Sequence, residues 1–155
     1  MLDPMTTTEH DYRAQARQAI EIVCAGDLSR MEEFYRPDFV DHINDMTFHG
    51  YHGGRESVTF YLTIFKNLRM DAEEQITEGN RVASRWVLNG TYRRRPITLQ
   101  GITISRFAED GRIVEDRGHS DSIALVRQLG LIRTLLLGLE ILTRRVKLPK
   151  GALGG

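Results

Sequence analysis

The chain has 155 residues, 41% of them hydrophobic and 27% charged. That is ordinary composition for one globular domain able to bury its own core, and it excludes a disordered chain. The 21 basic residues balance 21 acidic ones, which removes the basic surplus of a nucleic-acid binder, and the single cysteine, Cys24, excludes an internal disulfide and a multi-thiolate zinc site.

Residues 1–8 read as a disordered tail with no apolar signal core, so a cytoplasmic location is expected. Thr6 and Glu9 have capping-box spacing, and Tyr12, Ala16, Ala19, Ile20 and Val23 recur at helical intervals. This predicts a helix over 9–25, closed by Gly26. A short helix over 28–35 follows, with Met31, Phe34 and Tyr35 on one side and Pro37 ending it. Residues 39–44 read as extended and the Gly- and His-rich 46–54 as a loop. Val58, Tyr61, Leu62, Phe65 and Leu68 predict a third helix over 55–68.

The pattern then changes to alternation. Strands are predicted over 70–78, 81–93, 96–107 and 113–119, with Gly79-Asn80 and Asp110-Gly111 as hairpin turns. Val82, Ser84, Trp86 and Leu88 share one face of the second of these. Arg93-Arg94-Arg95 read as a solvated hairpin tip. A helix resumes over 120–129. Helices first, then an antiparallel meander, argue for an α+β fold with helices packed on one face of a curved sheet.

Residues 131–147 form an apolar helical extension, with Ile132, Leu135, Leu136, Leu139 and Leu142 on one stripe. The greasy stretch is shorter than the roughly 20 residues that span a bilayer, so no transmembrane segment is expected. A helix this apolar must cover its stripe. A subunit interface, giving a homo-oligomer (dimer or tetramer), is the first expectation. A lid, or a membrane-surface helix aided by Arg144, Arg145, Lys147 and Lys150, are the alternatives. Residues 148–155 read as a disordered tail.

Several segments in order carry a resemblance: Tyr35-Arg-Pro-Asp-Phe-Val-Asp-His42, Glu78-Gly-Asn-Arg-Val-Ala-Ser-Arg-Trp86 with Gly90-Thr91, Gly101-Ile-Thr-Ile-Ser-Arg-Phe107, and Asp110-Gly-Arg-Ile-Val-Glu-Asp116 running on to Gly118-His-Ser-Asp121. Together they resemble the SnoaL-like polyketide cyclases over about residues 10–130. The resemblance implies a cystatin-like α+β cone, shared with nuclear transport factors and ketosteroid isomerase, over 9–130. In that fold a curved sheet wraps an apolar pocket closed by helices. The chain departs from the family at Asp116-Arg117, where His-Trp is common, and that alters pocket polarity.

The candidate catalytic residues are Asp121, His119 and His42. Asp121 stands where the last strand gives way to a helix, and the resemblance places it on the family's catalytic aspartate. An apolar cavity pushes a carboxyl toward its neutral form, which suits an acid–base role near neutral pH. Its competing role is a helix N-cap. His119, two residues earlier, shares its strand face and would bind a substrate carbonyl or orient Asp121. The resemblance makes His42 a pocket residue. Tyr35, Phe65, Trp86, Thr103, Arg117 and His49 are the candidate substrate-binding residues, His49 from a loop over the pocket. No metal is expected, since His42, His49, His52 and Asp121 match no ligand motif. Asp41 and Asp116 admit an epoxide-hydrolase style reading with Arg85, Arg106 or Arg117 between them, but ordinary cross-strand charge pairing outweighs it.

These features predict a cofactor-independent cyclase of secondary metabolism, needing neither metal nor nucleotide. Its substrate is expected to be hydrophobic, a polycyclic or polyketide-like multi-carbonyl molecule closed by intramolecular aldol addition. The alternatives are an isomerase, dehydratase or epoxide hydrolase in the same pocket, or a non-catalytic binder of hydrophobic ligands.

Overall fold

The computed structural model describes residues 11–143. The Thr6–Glu9 capping pair and the two expected tails lie outside them.

Helix α1 (Tyr12–Ala25) starts at Asp11, whose Oδ1 accepts from the Ala14 N–H at 3.1 Å, and closes at Gly26 as predicted. Its period buries Ala16, Ala19 and Ile22. Small residues at two of these positions let the helix lie close to the sheet. A 3₁₀ turn (Leu28–Arg30) and a single helical turn, α2 (Met31–Phe34), replace the longer second helix expected. Strand β1 (Tyr35–Ile43) begins at once, because Pro37 cannot continue a helix and tolerates extended backbone.

The predicted Gly/His loop is instead strand β2 (Met46–His49) followed by the start of α3 (Gly50–Ile64). Phe48 and the buried Gly53, Gly54, Ser57 and Val58 anchor this region, so burial overrides the weak helix propensity of its glycines. The meander follows as β3 (Lys66–Glu78), β4 (Arg81–Tyr92), β5 (Arg95–Phe107) and β6 (Ile113–Ser120). The two turns read from Gly79-Asn80 and Asp110-Gly111 are in place. A third, Arg93-Arg94, is a two-residue loop with both residues at positive φ, 45° and 65°.

The six strands form one sheet in the order β2-β1-β6-β5-β4-β3. All neighbours are antiparallel except β1 and β6, which run parallel. Asn44 pins that parallel pair. Its N–H donates to the Gly118 carbonyl at 2.8 Å, its Nδ2 to Ser120 Oγ at 3.1 Å, and its Oδ1 accepts from the Ser120 N–H at 3.0 Å. The sheet curves, and its concave face takes the core. β4 alternates as read, with Val82, Ser84, Trp86 and Leu88 all buried. Helix α1 packs across that face, joining Phe34, Tyr35, Phe39, Phe107 and Ile113 in the main cluster.

Helix α4 (Ser122–Leu142) unites the expected final helix with the apolar extension. By length and composition alone it could cross a membrane. It is broken at Gly130, which takes φ 71° and ψ 169°, a conformation a β-carbon would strain. On one side Leu125, Leu129, Leu137 and Ile141 pack on Ile64, Phe65, Tyr92 and Ile97. The described part of the extension, residues 131–143, is therefore docked on the domain, and the rest of it lies outside the described residues.

Candidate active site

Between the concave face and helices α1 and α3 lies a cavity of about 190 Å³. Its wall is overwhelmingly apolar, with Phe39, Met31, Val58, Leu68, Met70 and Leu88 among its lining. Trp86 forms one side. Its Nε1–H donates to Thr103 Oγ1 at 3.0 Å, which satisfies the indole and fixes the ring. Gly101 makes room for that ring: a β-carbon there would stand 2.3 Å from Trp86 Cζ2 and 2.4 Å from the His119 carbonyl oxygen.

Two carboxyls interrupt the apolar wall. Asp41 on β1 and Asp116 on β6 are register partners across the parallel pair, and both face the cavity. Neighbours on adjacent strands point to the same side of a sheet, so the Asn44 clamp that sets the register also sets these side chains together. Asp116 is only 8% exposed, and its Oδ1 is buried without a hydrogen-bond partner. Such an atom carries a desolvation cost unless a proton or a ligand donor meets it.

The electrostatics follow. Burial raises the Asp116 carboxyl above its ordinary value, while the Ser105 and Tyr35 hydroxyls pull it part of the way back. Burial raises Asp41 as well, and the charge of Asp116 adds to it. Two carboxylates this close in an apolar site do not both ionise readily. The pair therefore holds a proton readily, and the Ser105 and Tyr35 hydroxyls favour Asp116 as its ionised member. Tyr35 is pushed well up by burial and then by both aspartates. Tyr61, also in the lining, is pushed up to about 12 by burial and by Asp41. Both phenols stay neutral and remain donors. Cys24, on the α1 side, is pushed up to about 11, chiefly by burial.

The arginines weighed as candidates to stand between the aspartates make ordinary charge pairs elsewhere, as the favoured sequence reading has it. Arg85 pairs with Glu73 and Glu74, and Arg106 and Arg117 pair with Glu115. All lie outside the cavity lining. Among the described residues, none of these arginines stands between the carboxyls to neutralise them.

Of the residues singled out from sequence, the structure brings Tyr35, Trp86 and Thr103 into the lining and His119 to its rim. It places the others apart. Asp121 is exposed, and its Oδ1 accepts from the Ala124 N–H at 2.9 Å as the N-cap of α4. It does not face the apolar cavity as expected, because the strand ends at Ser120 and the helix claims its side chain. His42 points to the opposite face of β1 from Asp41, with Nδ1 3.2 Å from Thr47 Oγ1 and Nε2 3.5 Å from Glu115 Oε1. Arg117 is exposed on that outer face. His49 is exposed at the end of β2. Phe65 is buried in the α4 cluster, edge-on to Tyr92 at 6.2 Å. Among the described residues no group of three or more His, Cys, Asp or Glu is arranged to hold a metal.

The family model of the SnoaL-like polyketide cyclases matches residues 14–129, spanning every strand and the start of α4. The chain belongs to that family. Among solved structures it is similar to IdmH of Streptomyces antibioticus, a candidate polyketide cyclase, at 25% identity and a TM-score of 0.72, covering 79% of this chain and 100% of that one. It is also similar to a candidate polyketide cyclase of Bacillus cereus ATCC 10987 (24% identity, TM-score 0.67, 76% and 78% covered). TsrD of Streptomyces laurentii shares the fold at 20% identity and a TM-score of 0.66, with 76% and 96% covered. No curated protein matches the sequence. The α+β cone expected from the resemblance is the fold observed.

Proposed function

We propose that this SnoaL-like protein closes a ring in a small apolar multi-carbonyl molecule by acid–base catalysis, with Asp116 as base and Asp41 as acid. The observation that carries the reading is the pair itself: two adjacent carboxyls facing one apolar cavity, both raised by burial, with the Ser105 and Tyr35 hydroxyls favouring the ionised form of Asp116. Pairs driven apart in this way divide the acid and base roles.

In the proposed step, the Asp116 carboxylate removes a proton α to a carbonyl. The resulting enolate carbon attacks a second carbonyl carbon of the same molecule, forming the new C–C bond. The alkoxide takes the proton of Asp41. Asp116 then returns its proton to Asp41, and both residues regain their starting states. The chain's own side chains move every proton. Tyr61 and Tyr35, held neutral, supply hydroxyls near the carboxyls, and the fixed Trp86 ring offers a flat wall on which an unsaturated substrate stacks. The rest is positioning: folding the substrate so that both carbons meet makes the reaction effectively unimolecular.

The cavity also bounds the substrate. An apolar cavity of about 150 Å³ holds a benzene ring. One of about 190 Å³ suits a product of one ring or two fused rings, which favours the polyketide-like substrate over the polycyclic one among those expected from sequence.

The test is a binding and turnover screen with linear and monocyclic keto-esters, comparing wild type with Asp41→Asn, Asp116→Asn and Asp121→Asn. General acid–base catalysis contributes roughly 10²–10⁴-fold. The two cavity variants should bind product yet lose at least about 100-fold in kcat, while Asp121→Asn keeps most of it. Full activity in both cavity variants would overturn the assignment. Equal binding by all four proteins with no turnover would instead favour a carrier of hydrophobic ligands.

A further inference from the structure

The outward face of α4 is unusual. Leu131, Ile132, Leu135, Leu139 and Leu142 form one stripe, each between 55% and 81% exposed. The helix cannot turn to hide them. Its other side is held by Leu137 and Ile141 in the cluster around Tyr92, and by Glu140, which accepts from the Tyr92 hydroxyl at 3.1 Å and pairs with Arg93. A contiguous apolar patch fixed outward on a rigid domain marks a contact surface.

Charge decides what fits it. From residue 131 to the end the sequence carries five cations, Arg133, Arg144, Arg145, Lys147 and Lys150, against one acid, Glu140, which is already engaged. The Arg93-Arg94 turn packs against the same helix, and Arg95 Nε donates to the Gln128 carbonyl at 3.1 Å. The whole chain is neutral, so this end is a local positive excess. A second copy would bring the same cations to the same interface. An anionic surface meets both the leucine stripe and the cations that follow it in the sequence.

We propose that α4 lies in the interfacial plane of an anionic lipid membrane, its leucine stripe in the acyl boundary and the basic residues at the headgroups. Spanning is disfavoured by the break at Gly130, by Arg133 and Glu140 within the helix, and by the packing that ties it to the sheet. Apolar area together with basic residues is the combination that holds such helices at a surface. The membrane-bound helix would then adjoin the cavity wall, since Leu125 of the same helix packs on the cavity-lining Trp86, Leu88 and Leu99.

Vesicle flotation of the full chain tests this. Phosphatidylcholine vesicles with about 30% phosphatidylglycerol should retain the protein, pure phosphatidylcholine should retain at least about tenfold less, and 0.5 M salt on the order of tenfold weakening should release most of it. Leu135→Ser with Leu139→Ser should lower retention about tenfold or more, with an unchanged circular dichroism spectrum. Should that variant misfold, Arg144→Glu with Arg145→Glu and Lys147→Glu, which follow α4 in the sequence, should weaken retention as salt does. No retention on anionic vesicles overturns the proposal. So does retention indifferent to both variants, or a wild-type dimer that the serine variant splits while vesicles capture neither form.

Discussion

Replacing Asp41 by Asn should flatten the pH dependence of stability. Burial raises Asp41 and Asp116 above their ordinary value of 3.8, so the folded protein holds protons that the unfolded chain has lost. The sign follows from proton binding: where the folded state holds more protons, stability falls as pH rises. The contribution of the pair is thus fully present below about pH 4 and is lost as pH climbs through the raised values. One unit of elevation is worth about 1.4 kcal/mol. Even two units across the pair give a loss of about 3 kcal/mol between pH 4 and pH 8. For a domain of this size that corresponds to about 6–12 °C in Tm. Carboxyls shifted the other way add a term of opposite sign. Glu115 is one, where Arg106 and Arg117 overcome the upward push of burial. That term is common to both proteins, so the difference between wild type and variant isolates the pair. Thermal melts at half-unit steps from pH 4.5 to 8 should show Asp41→Asn close to wild type in acid and more stable by about 1.5–3 kcal/mol at pH 8. Parallel curves for the two proteins would refute the buried pair.

Three further outcomes follow from the site and its supports. Gly101→Ala should destabilise by about 1–3 kcal/mol through overpacking against Trp86, and because Trp86 is the single tryptophan, the displacement should appear as a shift in fluorescence maximum. Asp121→Ala should cost about 1 kcal/mol in chemical denaturation through loss of the α4 cap, while leaving any turnover intact. With its thiol pushed up to about 11 by burial, Cys24 should react with a thiol reagent at pH 8 far more slowly than a free thiol, and more slowly still with a ligand in the cavity it lines.

Local signals carried most of the fold. Periodicity located α1 and β4, and turn chemistry located two of the hairpins. What sequence reading missed was set by tertiary contact. β2 and the first turn of α3 carry Gly and His that suit a loop, and they form because Phe48 and Val58 are buried. The candidate site was less legible for the same reason. Asp41 and Asp116 are far apart in the chain, and they meet only through a parallel pairing that no hairpin announces. One signal was present: Asp41 alternates with Phe39 and Ile43, an acid in an inward-facing apolar row. His42, one residue along, must then face outward. Asp121 misled because the step from strand to helix that could aim a carboxyl at a pocket mouth is also the step that needs a cap.

Proton exchange tests the central claim most directly. A keto-ester that binds the cavity, incubated with enzyme in deuterated water and followed by proton NMR, should exchange an α-hydrogen with wild type and with Asp121→Asn. Exchange should slow at least about 100-fold with Asp116→Asn at unchanged ligand affinity. Exchange that survives Asp116→Asn but disappears with Asp121→Asn would contradict the account.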